Sequence, residues 1–243
     1  MAGIFNRGTA RTPRHLLEVA AVALAVMLMA SGCLPAPGST QAIPFDAWGA
    51  NGKGLVVGQA NRWAVVFDTS GQRLTPLPKV RGWSSASATD VNDNGLVVGF
   101  LDNSGRTSRA FVYSLNTKKY RFISYPGVGS TAPVMAINNQ NRVLLLAGGV
   151  GPNPWMYTYA TNSYTKVKQP DIVGSSYAAF SDSGLVAGTH AETGQGVLYN
   201  WSTGRYRTLP VDPRGYVQIS GISPQGVAVG RVGVCPPRGG KIG

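Results

Sequence analysis

The sequence predicts an all-β protein, a small β-propeller of about five four-stranded blades of which the last is incomplete. Two observations carry this prediction. The composition is rich in glycine and poor in charge, with 32 Gly, 16 Pro and 13% charged residues, which is typical of many short strands joined by tight turns. In addition, one sequence phrase returns five times at a nearly constant spacing. The hydrophobic share of 43% is sufficient for a buried core.

The recurring phrase combines a polar turn, a glycine and a valine-rich strand, as in the segment Asn92 to Gly99. Its turn position is held by Gly54, Gly95, Asn141, Gly184 and Gly226, which are 41, 46, 43 and 42 residues apart. Asn, Asp and Ser side chains satisfy the backbone of a turn, and glycine or asparagine tolerates the positive φ there. The strand that follows is apolar on both faces, so we expect both faces to be buried.

Each copy continues with the same succession of elements. A strand with an aromatic residue near its end follows, such as Arg109 to Tyr113, and after a polar turn comes a strand that ends in proline, such as Tyr206 to Pro210. A short strand before each phrase, for example Ala132 to Ile137, completes four strands. Four antiparallel strands every ~40–45 residues are typical of a propeller blade. A proline at the end of the last strand suits an outer edge.

The segment Val91 to Gly99, followed by Ala110 and Phe111, resembles the HAF extracellular repeats of bacteria, which are named after a His-Ala-Phe triplet. The resemblance covers residues 47–230. No copy has the histidine, since Arg109 stands there in the second copy, and Leu-Pro or Tyr-Pro replaces the glycine-rich end of the family repeat. The resemblance implies an exported domain of the β-propeller type and little about activity.

The repeats assign residues 41–230 to a β-propeller-like domain and residues 231–243 to a frayed or truncated tail. Four copies are complete, whereas the fifth lacks an aromatic strand and a proline-ended strand after Gly230. The segment Gln41 to Phe45 reads like a proline-ended outer strand, so it could complete the last blade and close the ring with strands from both ends. The alternative is a chain with an open last blade.

Residues 1–32 are predicted to be a signal peptide. Three arginines precede an apolar run, Val19 to Ala30, which as a helix of about 18 Å is too short for the ~30 Å hydrocarbon core. The segment from Ala30 to Cys33 resembles the lipobox of bacterial lipoproteins, with Ala30 where the family prefers leucine. This resemblance implies cleavage between Gly32 and Cys33 and a diacylglycerol on the Cys33 thiol.

Residues 33–40 are expected to form a flexible, lipid-anchored tether, because Pro, Gly and Ser without apolar periodicity favour an unfolded chain. The expected location is the cell envelope, at the outer face of the cell membrane. An uncleaved anchor, or a free secreted protein in which Cys33 is incidental, is the alternative. The second cysteine, Cys235, gives the chain neither a disulfide framework nor a zinc site.

The formal net charge is +12, and +10 of it lies beyond residue 32. A basic surface favours anionic partners. The predicted partners are therefore the membrane, through the lipid anchor, and an anionic cell-envelope polymer or a protein ligand, whereas an exported address argues against nucleic acid. Basic and aromatic residues alternate in the outer strands, as in Lys118 to Arg121, which predicts aromatic side chains inside and charges outside. A simpler interpretation is that the charge only keeps the domain in solution.

The sequence contains few candidates for catalysis, and we predict no catalytic residue, no metal site and no cofactor. Beyond the signal peptide, His190 is the only histidine, which excludes a zinc site built on several histidines, and no G-x-S-x-G phrase is present. The segment Asp90 to Gly95 matches the first half of an EF-hand-like calcium loop. Leu101 stands where the loop requires its bidentate acid, so a hairpin turn is favoured.

The predicted function is that of a non-catalytic binding or interaction module. The alternative is an exported propeller enzyme of the lyase or glycosidase type, whose carboxylates would face the central channel. Most of the nine acidic residues beyond the signal peptide fall in turns or at strand ends, which favours the binding module. The incomplete fifth copy leaves a truncated product without activity as a third interpretation.

Overall fold

A computed structural model describes residues 44–103, 107–124, 134–145, 154–168, 173–190, 192–209 and 215–234 of the 243. The chain divides after Ile43, and every described element belongs to the unit Pro44–Gly243. The predicted signal peptide and tether, with Gly32 and Cys33, lie outside the described residues. Within the described residues all regular secondary structure is β-strand, which confirms the all-β class.

The strands form antiparallel sheets in which consecutive strands of the chain are neighbours. The first sheet contains β1 (Asp46–Ala50), β2 (Leu55–Ala60), β3 (Trp63–Asp68) and β4 (Arg73–Pro76). The second contains β5 (Ser85–Val91), β6 (Leu96–Asp102), β7 (Ser108–Ser114) and β8 (Lys119–Ile123). The third contains β9 (Val134–Ile137), β10 (Arg142–Leu145), β11 (Trp155–Thr158) and β12 (Ser163–Lys166). The fourth contains β13 (Val173–Phe180), β14 (Leu185–His190), β15 (Gly196–Asn200) and β16 (Tyr206–Thr208), and the fifth contains β17 (Gly215–Ile222) and β18 (Ala228–Val234).

Four of these sheets are four-stranded and form the blades of a β-propeller-like array, so the prediction of about five four-stranded blades is wrong by one. Within the described residues, which end at Val234, the fifth repeat supplies a two-stranded sheet. Strand β18 nevertheless continues to Val234, past the predicted end of the repeat domain at residue 230. We call the strands of a sheet, in chain order, the inner, second, third and outer strand.

The inner strands of consecutive sheets pack on one another, β1 on β5, β5 on β9, β9 on β13 and β13 on β17. The inner strands therefore converge toward a common axis, while the outer strands occupy the opposite edges of their sheets. Each inner strand has a register shift shortly before the recurring turn, as between Ala88 and Asp90 in β5. Such bulges increase the local twist of a strand.

The core is divided into four hydrophobic clusters, each of which lies between two consecutive sheets. The second strand contributes to the clusters on both of its faces. In β6, for example, Val97 belongs to the cluster between the first and second sheets, while its neighbour Val98 belongs to the cluster between the second and third sheets, and neither is exposed. The valine-rich phrase is therefore buried on both faces because neighbouring sheets cover it.

The last residue of the recurring phrase is glycine because the backbone of the inner strand passes very close to it. A Cβ at Gly58 would collide with the Asp46 carbonyl oxygen, and a Cβ at Gly99 would collide with the carbonyl oxygen of Ser87. Glycine at these positions allows the inner and second strands to pair without displacing either backbone.

Within the described residues, the fifth sheet is covered on one face only. Val217 and Ile219 of β17 pack on Ala187 and Leu198 of the fourth sheet. Among the described residues, no hydrophobic cluster joins the fifth sheet to the first. The Phe45 ring lies 5.9 Å from that of Phe67 in β3, so this residue packs on the first sheet. The predicted ring closure by Gln41 to Phe45 is not seen in the described residues, and 41–43 lie outside them.

Candidate functional site

The five turn positions predicted from the sequence lie at equivalent places in the five sheets. Each precedes the second strand of its sheet and has a positive φ, with values of 79°, 74°, 60°, 80° and 90° for Gly54, Gly95, Asn141, Gly184 and Gly226. In the first four sheets, the carbonyl of this residue accepts a hydrogen bond from the turn after the third strand, as from Thr69 N to Gly54 O at 3.0 Å. The recurring turn therefore joins the inner, second and third strands.

Asparagine side chains connect each recurring turn to the next. Asn51 Nδ2 donates to Asn92 O at 3.0 Å, Asn92 Nδ2 donates to Asn138 O at 2.9 Å, and Asn138 Nδ2 donates to Ser181 O at 3.3 Å. The Oδ1 atoms of the same three asparagines accept backbone N–H bonds within their own turns. Each amide is thus used both to shape its turn and to bind the next sheet.

The second residue of each turn adds a parallel row of bonds. Gly52 N donates to Asp93 Oδ1 at 2.8 Å, Asp93 N donates to Asn139 Oδ1 at 2.7 Å, and Asn139 N donates to Asp182 Oδ1 at 2.6 Å. Asn139 Nδ2 also donates to Asp93 Oδ2 and Asp182 Oδ2. We call these two rows of side-chain bonds the turn ladder. Its carboxylates hold neighbouring sheets together, so the calcium-like phrase around Asp93 is a hairpin turn.

Three inner strands meet at Asp90. Its Oδ1 accepts a bond from Val91 N at 2.8 Å, and its Oδ2 accepts one from Ile137 N of β9 at 2.9 Å. On the other side, Gly49 of β1 lies so close that a Cβ there would come within 2.6 Å of the Asp90 Cα. The Asp90 carboxyl therefore fastens the second sheet to the third beside the backbone of the first.

Asp90 is the one ionisable residue at its position in the repeat. The equivalent residues, two before the first turn residue, are Gly49, Ala136, Ala179 and Gly221. Burial raises the pKa of Asp90 from 3.8 to about 7, although the bonds from Ile137 N and Val91 N favour the charged form. A carboxyl that titrates near neutrality beside the axis is the strongest candidate for pH-dependent chemistry in the described residues. The sequence showed Asp90 only as part of a turn phrase, because its contact with the neighbouring sheet, Ile137 N, lies 47 residues away.

The remaining candidates from the sequence have structural roles. His190 Nδ1 accepts bonds from Glu192 N and Thr193 N in an exposed loop. Asp68 accepts bonds from the hydroxyl and the backbone N–H of Ser70, and these bonds lower its pKa. The residues that the structure describes contain no group of three His, Cys, Asp or Glu side chains that could hold a metal ion. They also contain no helix long and apolar enough to cross a membrane.

The outer strands of the second and third sheets place tyrosine rings against the preceding sheet, whereas Tyr206 of the fourth sheet is 50% exposed. The Tyr120 hydroxyl donates a hydrogen bond to Pro78 O, just after the outer strand of the first sheet, at 2.9 Å. The Tyr164 hydroxyl accepts one from Ser124 N, just after the outer strand of the second sheet, at 3.2 Å. An exposed cation lies on the outer strand of each four-stranded sheet: Arg73, Lys119, Lys166 and Arg207. These two tyrosines therefore join neighbouring sheets, and the four exposed cations are distributed along the outer edges. The predicted pattern of charges outside fails at Arg121 of β8, which is half-buried against the third sheet.

Comparison with known proteins identifies the fold. No family model and no curated protein matches the sequence. The structure is similar to TolB from Acinetobacter baumannii, with a TM-score of 0.51 and 12% identity over 73% of this chain and 49% of that chain. The chain has a β-propeller-like fold. It spans about half the length of the TolB chain, and at this identity the similarity extends to the fold alone.

Two further solved structures match with lower scores. A structural genomics protein of unknown function from Bacteroides thetaiotaomicron has a TM-score of 0.47 and 13% identity, over 72% of this chain and 46% of that chain. The dihydro-heme d1 dehydrogenase NirN, in complex with DHE, has a TM-score of 0.45 and 13% identity, over 68% of this chain and 37% of that chain.

Proposed function

We propose that this chain is an exported, lipid-anchored protein of the cell envelope whose β-propeller-like domain is a non-catalytic binding module for an anionic envelope polymer. The observation that carries the proposal is the row of exposed cations on the outer strands: Arg73, Lys119, Lys166 and Arg207. Each belongs to a different sheet, so the cations repeat along the array. A repeated cation suits a partner with repeated anionic groups, and the net charge of +10 beyond residue 32 favours its approach.

Four acidic residues of the described part of the chain support a binding role because hydrogen bonds within the domain occupy their carboxyl groups. Asp93 and Asp182 belong to the turn ladder, Asp68 accepts bonds in its own turn, and both carboxyl oxygens of Asp90 accept backbone N–H bonds. These carboxylates stabilise turns and sheet contacts. The exposed outer cations, in contrast, are directed to solvent.

Charge reversal on the outer strands tests the polymer proposal. Full-length protein in detergent is applied to an immobilised anionic wall polymer, and retention is measured as salt is raised. We expect retention to weaken with salt, and to weaken about tenfold at fixed salt when all four outer cations are replaced by glutamate. The matched control carries four exposed charge reversals elsewhere: Lys53, Arg62, Arg81 and Arg231 to Glu. Equal loss in both variants would leave only non-specific charge attraction and would refute the proposal.

The lipid anchor is tested separately, at the cysteine of the lipobox-like segment. A Cys33→Ala variant loses the thiol that would carry the diacylglycerol, so we expect it to leave the membrane fraction after a carbonate wash, while the unaltered chain stays there. A Cys235→Ala variant is the matched control, because it removes the other thiol. Retention of the Cys33→Ala variant in the membrane fraction would contradict the anchor.

A propeller enzyme of the lyase or glycosidase type is the second candidate, and one observation favours it. Asp90 lies among the inner strands and has a pKa of about 7, near the value at which a general acid or base is effective. The test measures new reducing ends or unsaturated products after incubation with acidic envelope polysaccharides. Turnover that the Asp90→Ala variant loses, while still binding polymer, would favour the enzyme over the binding module.

A further inference from the structure

The outward edge of β18 differs from the edges of the other second strands. In the first four sheets, the second strand is paired on one side with the inner strand and on the other with the third strand. Strand β18 is a second strand by its position in the repeat, and within the described residues it pairs only with β17. The described residues of the fifth sheet thus form a half-blade, and the next neighbour of β18 in a complete blade would be a third strand.

Two exposed valines lie on the face of this half-blade that a following sheet covers in the complete blades. Val227 and Val229 are 60% and 59% exposed. In the second sheet, the residues at the same positions, Leu96 and Val98, are 5% and 0% exposed and pack on the third sheet. The fifth sheet therefore exposes to solvent apolar residues that are buried between sheets at the same positions of the second sheet.

The recurring turn also shows which peptide groups of β18 face the open edge. In the first sheet Gly54 O accepts a bond from Thr69 N, so its carbonyl is directed toward the third strand. Gly226 occupies the same position in the fifth sheet. Because peptide groups alternate along a strand with a period of two, those of Ala228, Gly230 and Val232 are directed to the same edge as Gly226 O.

The four existing third strands show what such an edge accepts. Opposite the closing glycine stands a large residue: Gly58 pairs with Val65, and Gly99 pairs with Phe111. The next position is aliphatic, since Val98 pairs with Val112. A segment complementary to β18 would therefore place a bulky or aromatic residue opposite Gly230 and an aliphatic one opposite Val229.

We infer that the open edge of β18 is a docking site for an extended segment of another polypeptide that has this third-strand pattern and adds to the sheet antiparallel. Main-chain bonds to Ala228, Gly230 and Val232 hold the segment, and its apolar side chains extend the face formed by Val227 and Val229. Strand addition of this kind obtains affinity from the backbone and specificity from alternate side chains. The interface repeats the pairing that joins second and third strands in the four complete sheets.

A second copy of β18 fits this edge less well. A two-fold pairing centred on Arg231, the middle residue of β18, would place two arginines directly opposite each other, which is unfavourable. A pairing centred on Gly230 would place glycine opposite glycine, without the bulky residue that faces the closing glycine in the first and second sheets. A partner with a bulky residue and no charge at these positions is therefore favoured.

The probe is a labelled peptide that copies Ser108–Ser114, the third strand of the second sheet, and its binding to the full-length protein is measured by fluorescence anisotropy. We expect saturable one-to-one binding. Val232→Pro removes an N–H on the open edge and should weaken binding about tenfold, whereas the matched Val232→Thr retains the N–H and should bind normally. Val229→Lys places a charge on the exposed face without removing a packed side chain, so it should weaken binding even if the proline variant fails to fold.

The inference would be overturned if the peptide failed to bind the unaltered chain. It would also be overturned if the Val232→Pro and Val229→Lys variants bound the peptide as tightly as the unaltered chain does. Sedimentation of the free protein provides the second readout. A dimer that Val232→Pro dissociates, and that excludes the peptide, would assign the edge to a second copy and would also overturn it. The outcome is independent of the polymer proposal, which depends on the outer strands of the first four sheets.

Discussion

At the scale of single residues, Asp90 couples protonation to the contact between sheets. Burial raises its pKa from 3.8 to about 7, so the folded chain holds the proton more tightly than the unfolded chain. The stabilisation is therefore complete below about pH 4 and is lost as the pH rises toward 7. We expect the free energy of unfolding, measured by urea denaturation, to fall over this range by roughly 2–4 kcal/mol through Asp90.

The Asp90→Ala variant isolates this contribution, because alanine occupies the equivalent positions 136 and 179. At pH 4 the variant should be less stable than the unaltered chain, since Ile137 N and Val91 N lose their acceptor. The difference should shrink as the pH rises, because the unaltered chain then bears a poorly solvated charge. A stability difference that stays constant from pH 4 to pH 8 would show that the Asp90 pKa is not raised.

At the scale of the element, the recurring turn is both a local structure and a contact between sheets. Asn92 is 2% exposed, its Oδ1 accepts bonds from Asn94 N and Leu96 N, and its Nδ2 donates to Asn138 O. Asn92→Ala leaves several of these buried groups without a partner, so we expect a loss of roughly 2–4 kcal/mol in the free energy of unfolding.

Asn116→Ala is the matched control for the turn ladder. Asn116 also donates to a turn carbonyl, Asn94 O, but the contact is long at 3.3 Å and exposed, so its loss should cost about 0.5 kcal/mol or less. Both variants are compared by chemical denaturation at one pH. Similar small losses would indicate that the turn ladder contributes little beyond the hydrophobic clusters.

The recurring turn also marks the limit of what the sequence could predict. The residues of the turn, and the order of the strands around it, could be predicted from local chemistry. A turn of this kind needs polar side chains and a residue that tolerates positive φ, and both are visible in the sequence. The turn ladder could not be predicted, because it joins residues 41 to 46 positions apart whose contact depends on how sheets pack. The same holds for Phe45, which resembles part of an outer strand but packs on Phe67.

At the scale of the whole molecule, consecutive sheets pack on one another, and no described hydrophobic cluster closes the ring. In such an array the stability of a unit depends on how many neighbours cover it. The second and third sheets are covered on both faces, whereas the fifth is covered on one and exposes Val227 and Val229 on the other. The fifth sheet should therefore be less stable than the second and third sheets.

Hydrogen exchange of the backbone amides tests this gradient. Amides of β6 and β7 should exchange only through global unfolding, with protection that approaches the full free energy of unfolding, whereas those of β17 and β18 should exchange through local opening. Occupation of the β18 edge by the Ser108–Ser114 peptide should raise the protection of the fifth sheet and leave the second sheet unchanged, because only the half-blade gains a neighbour. Equal protection of β6 and β18 in the free protein would instead show that the fifth sheet is covered on both faces in solution, so that the array is closed.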